Sequence, residues 1–268
     1  MHADPVTSPP ASAVALSERR EGVLILTLNR PEALNAFNRA LFDAVREGLE
    51  AAAADPQVGC VLVTGSGRAF TAGSDISDDA GPEPEPGGKD PYDAFIECVE
   101  TFPKPLVAAV NGLAVGIGTT MLGHCELVLA GASARFRMPF TSLGLVPEAG
   151  STSTIPSLMG RQPAVHALLT SSWIPAEEAA RTGLVWQLTS DEELLAEALA
   201  VCEQIAAQPL ESLMSTKRLL LDARLPAARA ARDREEPEFR RLTERPAHLE
   251  ALAAFRERRP PDFRSLLG

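Results

Sequence analysis

Two glycine-punctuated stretches decide the reading of this chain: Arg68-Ala69-Phe70-Thr71-Ala72-Gly73-Ser74-Asp75-Ile76 and, about forty residues later, Val110-Asn111-Gly112-Leu113-Ala114-Val115-Gly116-Ile117-Gly118. Two such turns can each aim one backbone N–H at a single point. Converging N–H groups make an oxyanion hole, and a nearby carboxylate makes a base. The carboxylate that follows is Glu148, in Leu145-Val146-Pro147-Glu148-Ala149-Gly150. Taken singly, each glycine stretch is only a tight strand-to-helix turn. Glu148 alone reads as an acid facing the first turn of a helix that begins near Ser151.

Around these stretches, apolar runs alternate between the two regular periods. Val23–Leu28 is β-rich and bounded by Gly22 and Pro31, which predicts a strand. Asn38 is placed to cap an amphipathic helix from Leu41 to Ala54. Val58–Val63 reads as a buried strand closed by Gly65-Ser66-Gly67, and Tyr92–Glu100 as a helix. Pro105–Val110 is a strand feeding the second stretch; Gly118–Leu122 starts a buried helix, and Cys125–Ala130 returns as a strand. That alternation implies parallel strands with right-handed crossovers. From Ser151 onward, Ala-, Leu- and Arg-rich amphipathic runs predict mostly helix. No internal repeat is visible, so the pattern gives an α/β class followed by helices. Ser77–Asp90, rich in proline, glycine and acid, reads as a surface loop beside the first stretch, either a lid or a plain insertion.

A chain of 268 residues with 45% hydrophobic content builds one large domain, or one domain with a small appendage. Its net charge of −11 argues against a nucleic-acid partner, because phosphate backbones need a basic face. An anionic small ligand stays open, since a few N–H groups and one or two basic side chains hold phosphates. Cys60, Cys98, Cys125 and Cys202 form no CxxC pair, and the four histidines show no metal spacing, so no metal is expected. Residues 1–17, rich in Pro, Ala and Ser, read as a disordered leader without a signal peptide's basic start. No stretch reaches the ~18 apolar residues of a membrane span. A cytoplasmic protein with no membrane partner is the default expectation.

Pro31-Glu32-Ala33-Leu34-Asn35-Ala36-Phe37, the two glycine stretches, and Ala253-Ala254-Phe255-Arg256-Glu257-Arg258-Arg259-Pro260 together resemble the crotonase superfamily, the enoyl-CoA hydratase/isomerase family. The resemblance spans about Val23 to Phe263. It implies a crotonase-like spiral of ββα units over 18–205 and a C-terminal helical oligomerisation (trimerisation) region over 206–268. It also implies an acyl-CoA substrate, a homotrimer or dimer of trimers, and no cofactor beyond coenzyme A carried by the substrate. Matched residue by residue, the oxyanion donors are the N–H groups of Ser74 and Ile117. Coenzyme A contacts fall near Ala33 and Leu34, around Ala72, Ser74, Asp75 and Ile76, and at Gly116. Asp75 reads equally as a turn aspartate that shapes the loop.

The carboxylates then separate the reactions. The family's hydratases use two glutamates to position and split water; those places here hold Thr120 and Phe140. Glu126 sits where the family has a strand-start acid and does not replace them. Glu148 remains, in a context similar to the Δ3,Δ2-enoyl-CoA isomerases, where one glutamate takes a proton from C2 and returns it to C4. The reading is therefore an acyl-CoA isomerase with Glu148, Ser74 and Ile117 as its catalytic groups. The alternatives are another acyl-CoA reaction of the same family, such as weak hydration or a related lyase step, and an acyl-CoA-binding protein without turnover.

Overall fold

A computed structural model describes residues 13–76 and 89–267. In chain order the elements are β1 (Ala15–Arg20), β2 (Val23–Leu28), α1 (Arg39–Ala54), β3 (Cys60–Gly65), β4 (Ala69–Thr71), α2 (Pro91–Thr101), β5 (Leu106–Val110), β6 (Leu113–Val115), α3 (Ile117–Thr120), β7 (Leu127–Gly131), β8 (Arg135–Arg137), α4 (Ser151–Met159), α5 (Arg161–Thr170), β9 (Ile174–Pro175), α6 (Ala176–Thr182), β10 (Gln187–Thr189), α7 (Leu194–Ala206), α8 (Leu210–Thr243) and α9 (Pro246–Arg256). β1 begins inside the expected 1–17 leader and pairs antiparallel with β2, Ala15 facing Leu28. Residues 1–12 of that leader, and nearly all of the expected 77–90 loop, lie outside the described residues.

The strands form two sheets. The larger has the order β1-β2-β3-β5-β7-β10, the smaller β4-β6-β8-β9. From β2 to β10 the larger sheet is parallel. A parallel sheet covered on both faces needs strands that are apolar throughout. β5, Leu-Val-Ala-Ala-Val, meets that demand: Leu106, Ala108 and Val110 join one core cluster, Val107 and Ala109 the other. α7 covers the second face with Leu194, Ala198, Leu199 and Cys202. α1 covers the first with the stripe Leu41, Val45, Leu49 and Ala52. Asn38 caps α1 as expected, its side chain accepting from the Leu41 N–H at 3.0 Å.

The chain repeats one step three times: a long strand in the large sheet, a sharp corner, then a short strand in the small one. β3 leads to β4, β5 to β6, and β7 to β8. The first two corners hold Gly65 and Gly112, where a Cβ would lie 2.3 Å from the backbone oxygens of Ala69 and Arg68. The first approach folds β3 sharply into β4, and the second rests the β5–β6 corner on the entrance to β4, which sets β4 and β6 side by side. This is the ββα spiral that the resemblance implies.

α8 is tied to the sheet by Glu126, at the entrance to β7. Its carboxylate accepts from the Leu106 N–H at 2.9 Å, pairs with Arg224 at 2.9 Å, and pairs with Lys217. Lys217 is almost fully buried, and that burial depresses its pKa. Glu126 is thus committed to structure. Removing one partner from a buried pair costs about 3 kcal/mol or more. Glu126→Ala is expected to lower Tm by roughly 6–12 °C in thermal denaturation, given the usual scaling for chains of this size.

Candidate active site

The glycine stretches leave the small sheet side by side because β4 and β6 pair in parallel, Ala69 opposite Leu113 and Thr71 opposite Ala114. Gly73 has φ +93 and Gly116 has φ +56, both in the region that disfavours side chains. A Cβ on Gly73 would lie 2.8 Å from the Val115 carbonyl oxygen, and one on Gly116 would come within 4.0 Å of the Gly73 Cα. Backbone therefore rests on backbone at this point.

The hydrogen bonds around the two turns leave one donor free in each. The Phe37 N–H donates to Gly73 O at 2.7 Å, and the Asp75 N–H to Phe37 O at 2.9 Å, which passes over Ser74. In the second turn, Gly116 O accepts from Thr119 and Thr120 at 2.8 and 2.9 Å, while the N–H of Ile117 opens the helix. Among the described residues, neither the Ser74 N–H nor the Ile117 N–H has an acceptor. Ser74 is exposed; Ile117 is buried, its side chain in the core. The helix that Ile117 begins is short, four α residues running into a 3-10 turn over Met121–His124.

Glu148 sits at the head of a strained turn. Ala149 and Gly150 both take left-handed conformations, φ 58 and 68, before α4 starts. Ala149 has a Cβ, so this geometry costs about 1 kcal/mol or more and needs support from its surroundings. Support arrives from two sides. The His124 Nε2 meets the Ala149 carbonyl at 2.9 Å and must carry the proton there. Burial holds the His124 pKa down to about 4, so the ring is neutral and acts as a packed, satisfied donor. From α8, the Glu235 carboxylate accepts from the Gly150 N–H at 2.7 Å and the Thr152 N–H at 2.8 Å.

The Glu148 residue is partly buried at the cleft wall, and protein crowds its carboxyl. Burial raises its pKa to about 7. The Tyr92 phenol opposes that rise by stabilising the ionised form; the charge of Glu235 adds to it, and the Thr120 hydroxyl opposes it again. Thr120 Oγ1 is itself buried, with no partner at full hydrogen-bonding geometry. A carboxyl poised near 7 can take a proton and give it back.

Ser74 and Glu148 face one cleft of about 570 Å³ between α2 and α8. Phe42, Tyr92 and Phe239 supply its aromatic wall; Arg232, Glu235 and Glu236 line it from α8. The sequence reads Tyr92–Glu100 as a helix and gives α8 no part in the site. Nothing in the sequence pairs position 148 with position 235; the only trace is an acid that the fold buries, Glu235 being 6% exposed. Arg232 is held by the buried Glu100 carboxylate at 2.8 Å.

The residues matched to coenzyme A contacts flank the first glycine turn, and of them Ser74 lines the cleft. The Ala72 N–H donates to Leu34 O at 2.9 Å, which sets Ala33 and Leu34 against the first glycine turn; Ile76 is 46% exposed nearby in sequence. Asp75 pairs with Arg30 at 3.1 Å, the loop-shaping arrangement. Phe140 is buried in the larger core cluster and does not line the cleft. Trp173 stacks against Arg135 at 4.7 Å.

Residues 18–265 match the family model described as enoyl-CoA hydratase/isomerase. The 1,2-epoxyphenylacetyl-CoA isomerase of Escherichia coli is 36% identical over 238 residues, 87% of this chain and 90% of that protein. The 2,3-dehydroadipyl-CoA hydratase of the same organism is 34% identical over 221 residues, 82% of this chain and 87% of that one. The crystal structure of an enoyl-CoA hydratase/isomerase from Pseudoalteromonas atlantica superposes with a TM-score of 0.89 at 39% identity, covering 93% of this chain and 99% of that chain. The protein belongs to the enoyl-CoA hydratase/isomerase family, with the crotonase fold.

Proposed function

We propose that the protein is an acyl-CoA isomerase that moves a 3-enoyl-CoA double bond to the 2-enoyl position. The observation that carries this reading is that Glu148, a carboxyl whose pKa burial lifts to about 7, faces the same cleft as the Ser74 turn. The thioester oxygen lies between the N–H groups of Ser74 and Ile117, which have no other acceptor among the described residues. Their dipoles stabilise the negative charge that forms there as the C2 proton leaves. Glu148 takes that proton, a dienolate forms, and protonated Glu148 delivers the proton to C4. The thioester supplies the acidity, so the step balances without an added cofactor.

Hydration needs a positioned water and two carboxylates in the family's manner; Thr120 and Phe140 occupy those two places. The coenzyme A moiety runs along the edge formed by Ala33, Leu34, Ala72, Asp75, Ile76 and Gly116. Exposed Leu219 and Leu220 on α8, and Leu249 and Phe255 on α9, offer apolar surface for contact between copies, and the family resemblance makes that assembly a homotrimer or dimer of trimers. Purified protein given trans-3-hexenoyl-CoA is expected to raise the conjugated-enoyl thioester absorbance. Given crotonyl-CoA, it is expected to leave that absorbance nearly unchanged. Loss of the crotonyl signal at a comparable rate would make the protein a hydratase instead.

A further inference from the structure

We infer that Glu235, presented across the cleft by α8, is the positioning residue for Glu148: it clamps the turn behind Glu148 and holds that carboxyl against Tyr92. The inference rests on the reading of Glu148 as the acid/base. Three bonds of the Glu235 carboxylate converge on residues 150–152: from the Gly150 N–H, the Thr152 N–H and the Thr152 hydroxyl. α4 needs this help, because the residue at its cap, Gly150, has no side chain to satisfy the first N–H groups. A carboxylate brought from 85 residues away therefore does the work of a local cap. The cap lies two residues beyond Glu148, with the left-handed Ala149 between them. Moving Glu235 thus moves the reacting carboxyl.

Glu235 also acts through charge. The groups facing Glu148 are Asp90, Tyr92 and Asp93 at the start of α2, and Arg232, Glu235, Glu236 and Arg240 on α8. Thr120 lies beneath, and His124 lies behind Ala149. Arg232 is engaged by Glu100, and Arg240 by Asp93 and Glu236 at 3.9 and 3.8 Å. Of these groups, Glu235 is the charged one that pushes the Glu148 pKa upward, against Tyr92 pulling it down.

The chain contains a single tyrosine, which gives a probe that does not depend on turnover. Burial holds the Tyr92 phenol well above its ordinary pKa, so between pH 5 and 9 its ring resonance reports a neighbour's titration. In protein labelled with [13Cζ]tyrosine, the resonance is expected to titrate with a midpoint near 7, the value set for Glu148. The transition should vanish in Glu148→Gln. Glu235→Gln keeps the size and removes the charge. Its midpoint should fall by about one unit, and kcat by about tenfold, with KM little changed. Glu235→Asp keeps the charge and shortens the reach; it should hold the midpoint and lower kcat, and it serves if the glutamine variant does not fold. Folded variants with wild-type midpoint and kcat would overturn the role of Glu235. Full turnover by Glu148→Gln, with its tyrosine transition gone, would instead overturn the acid/base reading on which it rests.

Discussion

Glu148→Gln is expected to lower kcat on a 3-enoyl-CoA by about 10³–10⁴-fold while acyl-CoA binding persists. The size follows from the double duty of one group: positioned proton transfer contributes about 10²–10⁴-fold, and here the same carboxyl both abstracts and returns the proton. The amide has nearly the same shape and does neither. The wild-type pH profile has a matching sign. The base form of Glu148 starts the reaction, so kcat/KM should fall as pH drops below about 7, the value to which burial lifts this carboxyl. Stability runs the other way. Glu148 binds its proton more tightly folded than unfolded, so the folded state loses support as pH rises from the ordinary carboxylate range through about 7. At pH 8 the variant should therefore melt no lower than wild type, and calorimetry reads that directly. Low activity combined with a markedly lower Tm at pH 8 would assign Glu148 to structure instead.

The division between what sequence reveals and what it hides follows the range of the forces involved. The parallel strands were legible because a sheet covered on both faces needs apolar runs such as Leu106–Val110, and the α1 cap because Asn38 bonds a backbone group three residues away. The two turns were legible because glycine marks them, whereas Ser74 and Ile117 are named as donors only through the family resemblance. The small sheet was not: β4, β6 and β8 are three residues each, too short for a period to register. The threefold repeat was hidden for a related reason, being carried by corners and close approaches more than by a recurring string of residues. α8 was read only as part of a helical region for oligomerisation. The fold also lays it along the cleft, so that Arg232, Glu235 and Glu236 reach a site whose other parts lie far earlier in the chain. No local pattern records such a meeting. A buried acid looks, in sequence, like any other acid on an amphipathic helix.

Gly73→Ala is expected to cost about 10²–10³-fold in kcat, the loss associated with one misplaced oxyanion donor. The added Cβ would meet the Val115 carbonyl oxygen at 2.8 Å, and that oxygen belongs to the backbone, so no side-chain rotation can relieve the contact. At φ +93 an alanine is strained whatever the space. Either the first turn retreats, carrying the Ser74 N–H with it, or the second turn moves and displaces Ile117. Both open the gap between the donors. The clash lies between the two turns and leaves Glu148 on its own turn, clamped by His124 and Glu235. The acid limb of the pH profile should therefore stay where it is while the plateau falls. Gly118→Ala offers a contrast at the same junction: there the new Cβ meets the Thr71 side-chain methyl carbon at 2.4 Å, with the nearest backbone atom at 3.2 Å. Gly118 is not in the left-handed region and its new contact is with a side chain, so this variant should keep more activity than Gly73→Ala, although moving buried Thr71 also strains the bonds of its hydroxyl to Asn35 O and the Gly73 N–H. Equal losses in the two would mean that the spacing of the turns does not set the rate.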